Sequence, residues 1–488
     1  MPAGPADIDV LIVGAGPVGL LLANECARRG MSARIVETRA GQSEHSKALA
    51  IFPRTLEIFD MAGLVEPFVD GANRVTRVSV VAHGRELAHV RFAPEETPYP
   101  FIAMVPQDVT ERLLAEALQR KGRAVEYRTT FVSAEQRGDR VVATLDRDGQ
   151  RTEVSAAFVV GCDGAHSAVR HLLNLPFEGA QYEDLFLLAD VETNDALPAD
   201  ELQLCPSEFG PAAIFPMSTT RRRVVATFDR QEGDAPSLEL VQNILRERAP
   251  EGIEARSLIW SSYFRIHHRQ VAELRVGRMF VAGDAAHIHS PFGGQGMNTG
   301  LGDVWNLAWK LDLALRGRGG GNERLLDSYT AERRPIIKDV IETTDRMTRA
   351  MATPNRFAQA LRDTIIPVLS HLTPFQHAFV QRLSGLGIAY KDSPIVEGGG
   401  ERYFDDSLRD GEGIRSRFLL MIGDGSGAST HEAARQLADS FRDVLELRSR
   451  AVEGIALVRP DGYVAFSTRH EGSAALDSSR SLLESILG

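Results

Sequence analysis

A carboxylate stands at the end of an apolar run in MFVAGDAAHIHSPFGGQGMN, residues 279 to 298: Met279 to Ala282 read as a strand, and Gly283-Asp284 closes it. An Asp just past a strand's carboxyl end only accepts hydrogen bonds, which suits a sugar or ribityl hydroxyl in an α/β fold. Seven residues on, Pro291-Phe292-Gly293-Gly294 makes a bend with no Cβ at two positions, so backbone there can lie against a flat ring. Met297, Leu301, Val304, Trp305 and Ala308 then fall at helical spacing. The positive end of such a helix, with its unpaired N–H groups, would face the ring. A reduced flavin carries negative charge over N1 and its C2 carbonyl, so a flavin is the ring this spacing suits. An ordinary strand, turn and helix with Asp284 as a cap would use the same residues.

The amino terminus supplies a second grip. Asp9 to Val13 is a short apolar run entering Gly14-Ala15-Gly16-Pro17-Val18-Gly19, which opens an apolar helix over Leu20 to Arg29. Glu37 closes the next strand, Ala33 to Val36. A tight turn, close approach to a pyrophosphate and an acid on ribose hydroxyls follow from this order. The acid disfavours a 2′-phosphate, so FAD or NAD fits this site better than NADP.

With Cys162-Asp163-Gly164-x-x-Ser167-x-x-Arg170 between them, these segments resemble the single-component FAD-dependent aromatic hydroxylases, the p-hydroxybenzoate and phenol hydroxylase-like flavoprotein monooxygenases, of polyketide hydroxylase type. The resemblance covers most of residues 8 to 340, including Asn306 to Leu311 and Tyr329 to Pro335. It implies cofactor-binding roles for Gly14, Ala15, Gly16, Pro17, Gly19, Glu37 and Asp284. Asp163, in the middle motif, would serve FAD and the nicotinamide donor. Gln107 matches a glutamine on the flavin chain, and Arg39 a cation near the pyrophosphate and adenine. Lys47-Ala48 stands where the family has Arg-Ala, a point charge in place of a bidentate grip on phosphate. Pro291, Gly294, Gln295, Gly296, Met297 and Asn298 match the loop over the flavin's reactive edge.

The resemblance further implies an order of events. NADPH or NADH, bound transiently, reduces a tightly held FAD; O₂ adds at flavin C4a; the hydroperoxide's distal oxygen passes to a phenolic or polycyclic aromatic substrate. The hard chemistry is the cofactor's, while the protein holds the ring and excludes water. Baeyer–Villiger insertion, epoxidation, antibiotic-degrading oxygenation and plain flavin reduction remain open alternatives on the same fold. A halogenase is disfavoured by the lack of a W-x-W-x-I-P motif.

Catalytic side chains are harder to read. A phenol wants an acceptor or base near its hydroxyl, and His45, Tyr263, Arg265, His267 and His268 are candidates, with His267 joined to Pro291 and Gly294 as the catalytic set. Phe101, Phe215 and Phe292 could wall a polycyclic substrate. His287 is expected to donate to backbone, and Asp303 and Glu332 to cap or pair within helices.

The elements that must position these groups follow from length and pattern. At 488 residues the chain exceeds one core. The expected architecture is α/β: a Rossmann-like FAD-binding domain (1–75, 100–175 and 266–390), a β-sheet substrate domain (76–99 and 176–265) and a C-terminal thioredoxin-like domain (398–488). Strand-like runs at 75–81, 86–92, 185–191, 202–205, 212–217, 223–228 and 258–266 make the middle sheet, with the substrate between it and the Pro291 loop. After Gly398-Gly399-Gly400, strands at 417–422, 444–447, 455–458 and 463–467 and a helix over 430–440 make the last unit, where Arg459-Pro460-Asp461-Gly462 is a turn. That unit holds no cysteine, so its expected role is interface or stability rather than dithiol chemistry. Gly317 to Gly321 follows a helix and reads as a cap and loop, leaving one glycine fingerprint and no second Rossmann domain for the donor.

A net charge of −11 argues against nucleic acid or anionic membrane as a partner. Apolar content of 43% is ordinary for a globular protein. No apolar run is long enough to span a bilayer and no signal pattern opens the chain, so a cytoplasmic monomer or homodimer is expected. Cys26, Cys162 and Cys205 fall in no C-x-x-C or metal spacing, and no metal is expected.

Overall fold

The computed structural model describes residues 6–43, 46–82, 84–228, 231, 233–290, 293–318, 323–351, 372–409, 417–450, 453–470 and 472–487, with the side chains of 181–184, 266–267 and 350 excepted. Short apolar runs bounded by glycines build its first sheet. Ile8–Val13 lies between Gln150–Gly161 and Ala33–Glu37, parallel to both. Met279–Val281 and Val125–Tyr127 extend the parallel sheet on either side. Val10 to Val13 are all buried, which is why this run is continuously apolar rather than alternating. The hairpin Thr129–Arg137 and Arg140–Arg147 adds antiparallel strands. Because Met279–Val281, Gln150–Gly161 and Ile8–Val13 are parallel neighbours, their carboxyl ends share one edge. The Gly283-Asp284, Cys162-Asp163-Gly164 and Gly14 to Gly19 segments therefore emerge side by side.

A second sheet of eight strands runs in the order His287–Ile288, Ala255–Gln270, Glu178–Thr193, Arg221–Phe228, Ala212–Pro216, Glu201–Cys205, Arg77–Ala82, Arg85–Arg91. It contains the strand-like runs of the middle segment, except that the first divides: Asn73–Val75 pairs instead with Ile102–Met104 in a small separate sheet. Two sequence boundaries move. Ala255–Gln270 is one 16-residue strand paired along its length with Glu178–Thr193, so a domain cut at 265/266 would sever a continuous ladder. His287–Ile288, six residues beyond the first sheet's last strand, joins the second sheet's edge. The chain thus crosses between sheets just after Asp284.

Phe418–Gly423, Leu445–Arg450, Ile455–Val458 and Val464–Thr468 form a four-stranded mixed sheet. Helix Ala428–Ser440 and a final helix, Ser473–Leu487, accompany it; the latter's apolar positions carried no strand-type signal and went unread in the sequence. Helix Gly296–Leu315 is buried over most of its length, and Glu323–Met351 follows it. Between them Gly317 takes φ 71°, as a helix-ending glycine does; residues 319–321 lie outside the described residues. Among the described residues no helix is long and apolar enough to cross a membrane.

Candidate active site

The glycine turn after Ile8–Val13 is fixed by steric exclusion. Gly14 has φ 100°, and a Cβ there would stand 2.4 Å from the Cys162 carbonyl oxygen. A Cβ at Gly19 would stand 2.0 Å from the Gly14 carbonyl oxygen, so helix Pro17–Arg29 packs onto the turn only with glycine there. A Cβ on Gly16 would meet no protein atom within 4 Å. Backbone at that helix start, with Pro17 in the first position and no side-chain cap, is accessible to a pyrophosphate. The Glu37 carboxylate accepts from the Ala15 N–H at 2.9 Å and from the Arg39 N–H at 3.0 Å. Burial opposes its charge, but the Arg39 guanidinium, which also donates to it at 3.3 Å, and the two backbone N–H groups outweigh burial and lower its pKa. Arg39 is exposed and also approaches Glu111 at 3.7 Å.

The other two motifs stand on the same edge. Asp163 accepts from the Ala168 and Val169 N–H groups at 2.7 and 3.3 Å, while its second oxygen has no partner among the described residues. Burial raises its pKa. Asp284 is accessible, and desolvation by the surrounding protein raises its pKa despite His287 and Lys47 nearby. Lys47 itself is exposed, its carbonyl accepting from Arg223 at 2.8 Å. Gln107 begins helix Gln107–Arg120 and clamps the 46–48 segment: its N–H donates to the Ser46 hydroxyl and Ala48 carbonyl, and its Oε1 accepts from the Ala48 N–H.

The first glycine turn's helix and the Gly283 turn meet directly. A Cβ at Gly283 would lie 3.0 Å from Val18, and one at Gly300 would lie 2.7 Å from Val18 and 2.9 Å from the Gly283 Cα. Gly294 takes φ 62°. Gly296 and Met297 begin helix Gly296–Leu315, whose first turn has no acidic residue and no side-chain cap. Asn298 stitches the turn to Ala50–Phe52: its Oδ1 accepts from the Phe52 N–H at 3.0 Å, and its amide donates to the Ala50 and Gly294 carbonyls. Gln295 donates to the Leu383 carbonyl at 2.9 Å. Pro291 and Phe292 lie outside the described residues.

His287 differs from expectation. Its Nε2 bonds the buried Asp303 carboxylate at 2.7 Å rather than backbone, because Asp303 sits about two helical turns inside Gly296–Leu315. Asp303 also accepts from Arg333 at 2.8 Å and from the Gly283 N–H at 3.1 Å. Burial would raise the Asp303 pKa, but His287 and Arg333 overcome it and lower it. Asp303 therefore pairs across elements and locks the Gly283-Asp284 turn to the helix. His289, its Nδ1 donating to the Ser290 carbonyl, is pushed down to about 4 by burial and is neutral at pH 7.

A cavity of about 920 Å³ opens beside this turn, with Gly293, Gln295 and Asn298 on one side and Val80 and Leu204 of the second sheet on another. Helix Glu323–Met351 contributes Met347 and Met351, and helix Thr373–Ser384 contributes Phe375 and Phe379. The lining is largely apolar. Tyr263, Arg265 and His268 do not line it; Tyr263 packs in a different cluster from its neighbour Phe264, which lies with the cavity-lining Phe52 and Met351, and the His267 side chain and His45 lie outside the described residues. Phe101 packs under Arg74 at 4.7 Å, and Phe215 is core of the second sheet, so neither walls the cavity. Sequence reasoning missed Phe52, Arg54, Tyr390 and Tyr463 in the lining; for Phe52 the signal was an aromatic inside the resemblance, and for the other three no local pattern marks them.

Residues 7–344 match the family described as FAD binding domain. The chain is 32% identical to 6-methylpretetramide 4-monooxygenase of Streptomyces rimosus, covering 98% of this chain and 93% of that protein. It is also 32% identical to 12-dehydrotetracycline 5-monooxygenase/anhydrotetracycline 6-monooxygenase of Streptomyces rimosus subsp. rimosus, over 95% and 96%. The chain belongs to the FAD-dependent monooxygenases. Its fold matches an anhydrotetracycline hydroxylase from Streptomyces rimosus with TM-score 0.78 at 29% identity, covering 99% of each. A rebeccamycin biosynthetic enzyme determined with reduced flavin matches at TM-score 0.78 and 27% identity, over 99% of this chain and all of that one. This monooxygenase is a flavin-dependent aromatic hydroxylase, and its three motifs follow neighbouring parallel strands of one sheet.

Proposed function

We propose that this monooxygenase hydroxylates a multi-ring phenolic substrate held in the 920 Å³ cavity beside the flavin-facing turn. When bound, FAD supplies hydride acceptance from NADH or NADPH and activation of O₂. The chain's residues do the rest. Gly14, Ala15, Gly16, Pro17 and Gly19 would present backbone to the pyrophosphate, with Glu37 and Arg39 toward the ribose and adenine. Asp163, Asp284, Gln107 and Lys47 would hold the ribityl and phosphate region. Pro291, Gly294, Gln295, Gly296, Met297 and Asn298 would lie along the ring.

The observation that carries this reading is the continuity of an apolar cavity with the start of helix Gly296–Leu315. An apolar cavity of roughly 150 Å³ suffices for benzene, so this one has room for several rings. Its apolar walls exclude water from the reacting carbon, which protects a reactive intermediate. Relatives that act on fused-ring tetracycline skeletons support a polycycle over a simple phenol. The topology of Phe418–Gly423 through Ser473–Leu487, two parallel strands joined by a helix, then two antiparallel strands and a helix, supports a thioredoxin-like C-terminal domain. We place the FAD-binding and sheet domains as the sequence divided them, with the whole strand Ala255–Gln270 in the sheet domain, and expect a cytoplasmic monomer or homodimer.

The test uses FAD-loaded protein with NADPH or NADH, O₂ and anhydrotetracycline or phenol. The expected result is a product one oxygen heavier with an aromatic C–H replaced, formed faster from the larger compound. Nicotinamide oxidation with no oxygen entering any aromatic product overturns the proposal.

A further inference from the structure

The turn Arg459-Pro460-Asp461-Gly462 belongs to the C-terminal sheet, yet Arg459 and Asp461 are completely buried. Arg459 donates to both oxygens of Glu332, at 2.6 and 2.9 Å, and to Asp461. Lys310 and Asn306 bond the same Glu332 carboxylate at 2.7 and 2.6 Å, so each charge in the cluster has a counterpart. The Asp461 carbonyl accepts from the Trp305 indole N–H and from Arg54, each at 3.0 Å. Trp305 and Arg54 both line the cavity, and so does Tyr463. The Tyr463 ring lies 4.4 Å from that of Tyr390 and 4.8 Å from the Arg54 guanidinium. Gly462 takes φ 76°, and a Cβ there would stand 3.1 Å from the Tyr403 carbonyl oxygen and 3.3 Å from the Met61 sulfur. The turn is wedged in place.

Removing one member of such a buried cluster leaves an uncompensated charge, so the turn's position is strongly determined. What it determines is a cavity wall. Trp305 lies nine residues along helix Gly296–Leu315 from its start, about 13 Å at 1.5 Å per residue. Trp305 is tied to this turn, so Tyr463 stands toward the end of the cavity remote from the flavin-facing turn. A single ring held at that turn would not reach Tyr463; a multi-ring substrate would.

We infer that the C-terminal unit completes the substrate cavity: Tyr463 is a specificity-determining residue for the distal rings of a polycyclic substrate, and the Arg459–Asp461 turn positions it together with Trp305 and Arg54. This rests on the cavity being the substrate's, as proposed above. The unit's expected role as a mere interface is thereby extended.

The full-length, FAD-loaded protein and its Tyr463→Ala and Tyr463→Leu variants are titrated in the oxidised state with anhydrotetracycline and with phenol, read by the change in flavin absorbance. Expected is a rise of about tenfold in the Kd for anhydrotetracycline, the order one aromatic contact carries. The phenol Kd changes less than roughly twofold, and Tyr463→Phe restores the parent affinity. A loss of purely structural origin would weaken both probes alike, and that result overturns the inference. So does unchanged anhydrotetracycline binding in either variant while the parent oxygenates it. A parent that holds FAD but binds neither probe and oxygenates no aromatic compound overturns the functional proposal, and this inference with it.

Discussion

Asp284 shows how one side chain can be both accessible and costly to charge. Desolvation by the surrounding protein raises its pKa while its side chain stays accessible, so a hydroxyl donor can reach it. Asp284→Ala is expected to lower the flavin-to-protein absorbance ratio after gel filtration, and an undiminished ratio removes Asp284 from the cofactor's grip. Gly294 makes a different demand. At φ 62° a side chain is strained whatever the space, and a Cβ would lie 3.5 Å from Phe52, a cavity wall. Gly294→Val should retain FAD but divert reducing equivalents to H₂O₂, measured as peroxide formed per NAD(P)H consumed. Coupling equal to the parent's counts against a role for this turn in oxygen transfer. Both residues were legible in sequence, because an Asp after a strand and paired glycines before a helix are local signals. Tyr463 was not, since nothing in its neighbourhood announces a partner 73 residues away at Tyr390.

Helix Gly296–Leu315 works through what is attached to it. Asn298 joins its first turn to Ala50–Phe52 by hydrogen bonds at 2.9 to 3.0 Å. Asn298→Ala leaves a buried N–H and two carbonyls unmatched, a cost of roughly 1–3 kcal/mol, expected as a lower denaturant midpoint. Asp303, Arg333 and His287 tie the middle of the helix to the Gly283 turn. Arg333→Met leaves the buried Asp303 carboxylate without its guanidinium partner, and a loss of about 3 kcal/mol follows. Equilibrium unfolding showing no change would mean that the network relaxes or is hydrated. The sequence located the start of this helix to within a residue, while its ion-pair partners lie on elements that periodicity cannot relate.

Across the whole molecule, buried charge sets the response to pH. Burial opposes ionisation of Glu25, but Arg28 and Arg29 overcome it and hold its pKa at about 2. Glu332 and Asp303 are lowered likewise by their cationic partners, against the same opposition from burial. A carboxyl depressed in the folded state stabilises above its ordinary pKa, and that stability is lost as pH falls toward the folded value. His289, at about 4 when folded against 6.5 ordinarily, stays neutral while the unfolded chain takes up a proton. Its contribution is therefore lost between pH 6.5 and 4. Tm is expected to decline on acidification from pH 6.5, steepening below about 4.5 as the carboxyls follow. A flat Tm from pH 6.5 to 3 at fixed salt contradicts these assignments, and His289→Gln should flatten the upper limb alone.

Local chain chemistry marked two candidate grips on one cofactor, a parallel sheet to carry them and a separate second sheet, because glycine turns, strand-end acids and hydrophobic period act over a few residues. Tertiary packing decided the rest. It brought Val18, Gly283 and Gly300 into contact, ran Ala255–Gln270 through a boundary the sequence had drawn, and left Tyr263, Arg265 and His268 out of the cavity lining. It also drove an Arg-Pro-Asp-Gly turn from the last unit into the core, where Glu332 and Trp305 await it. Burial and charge pairing between distant segments depend on how whole sheets and helices stack, and no stretch of neighbouring residues encodes that by itself.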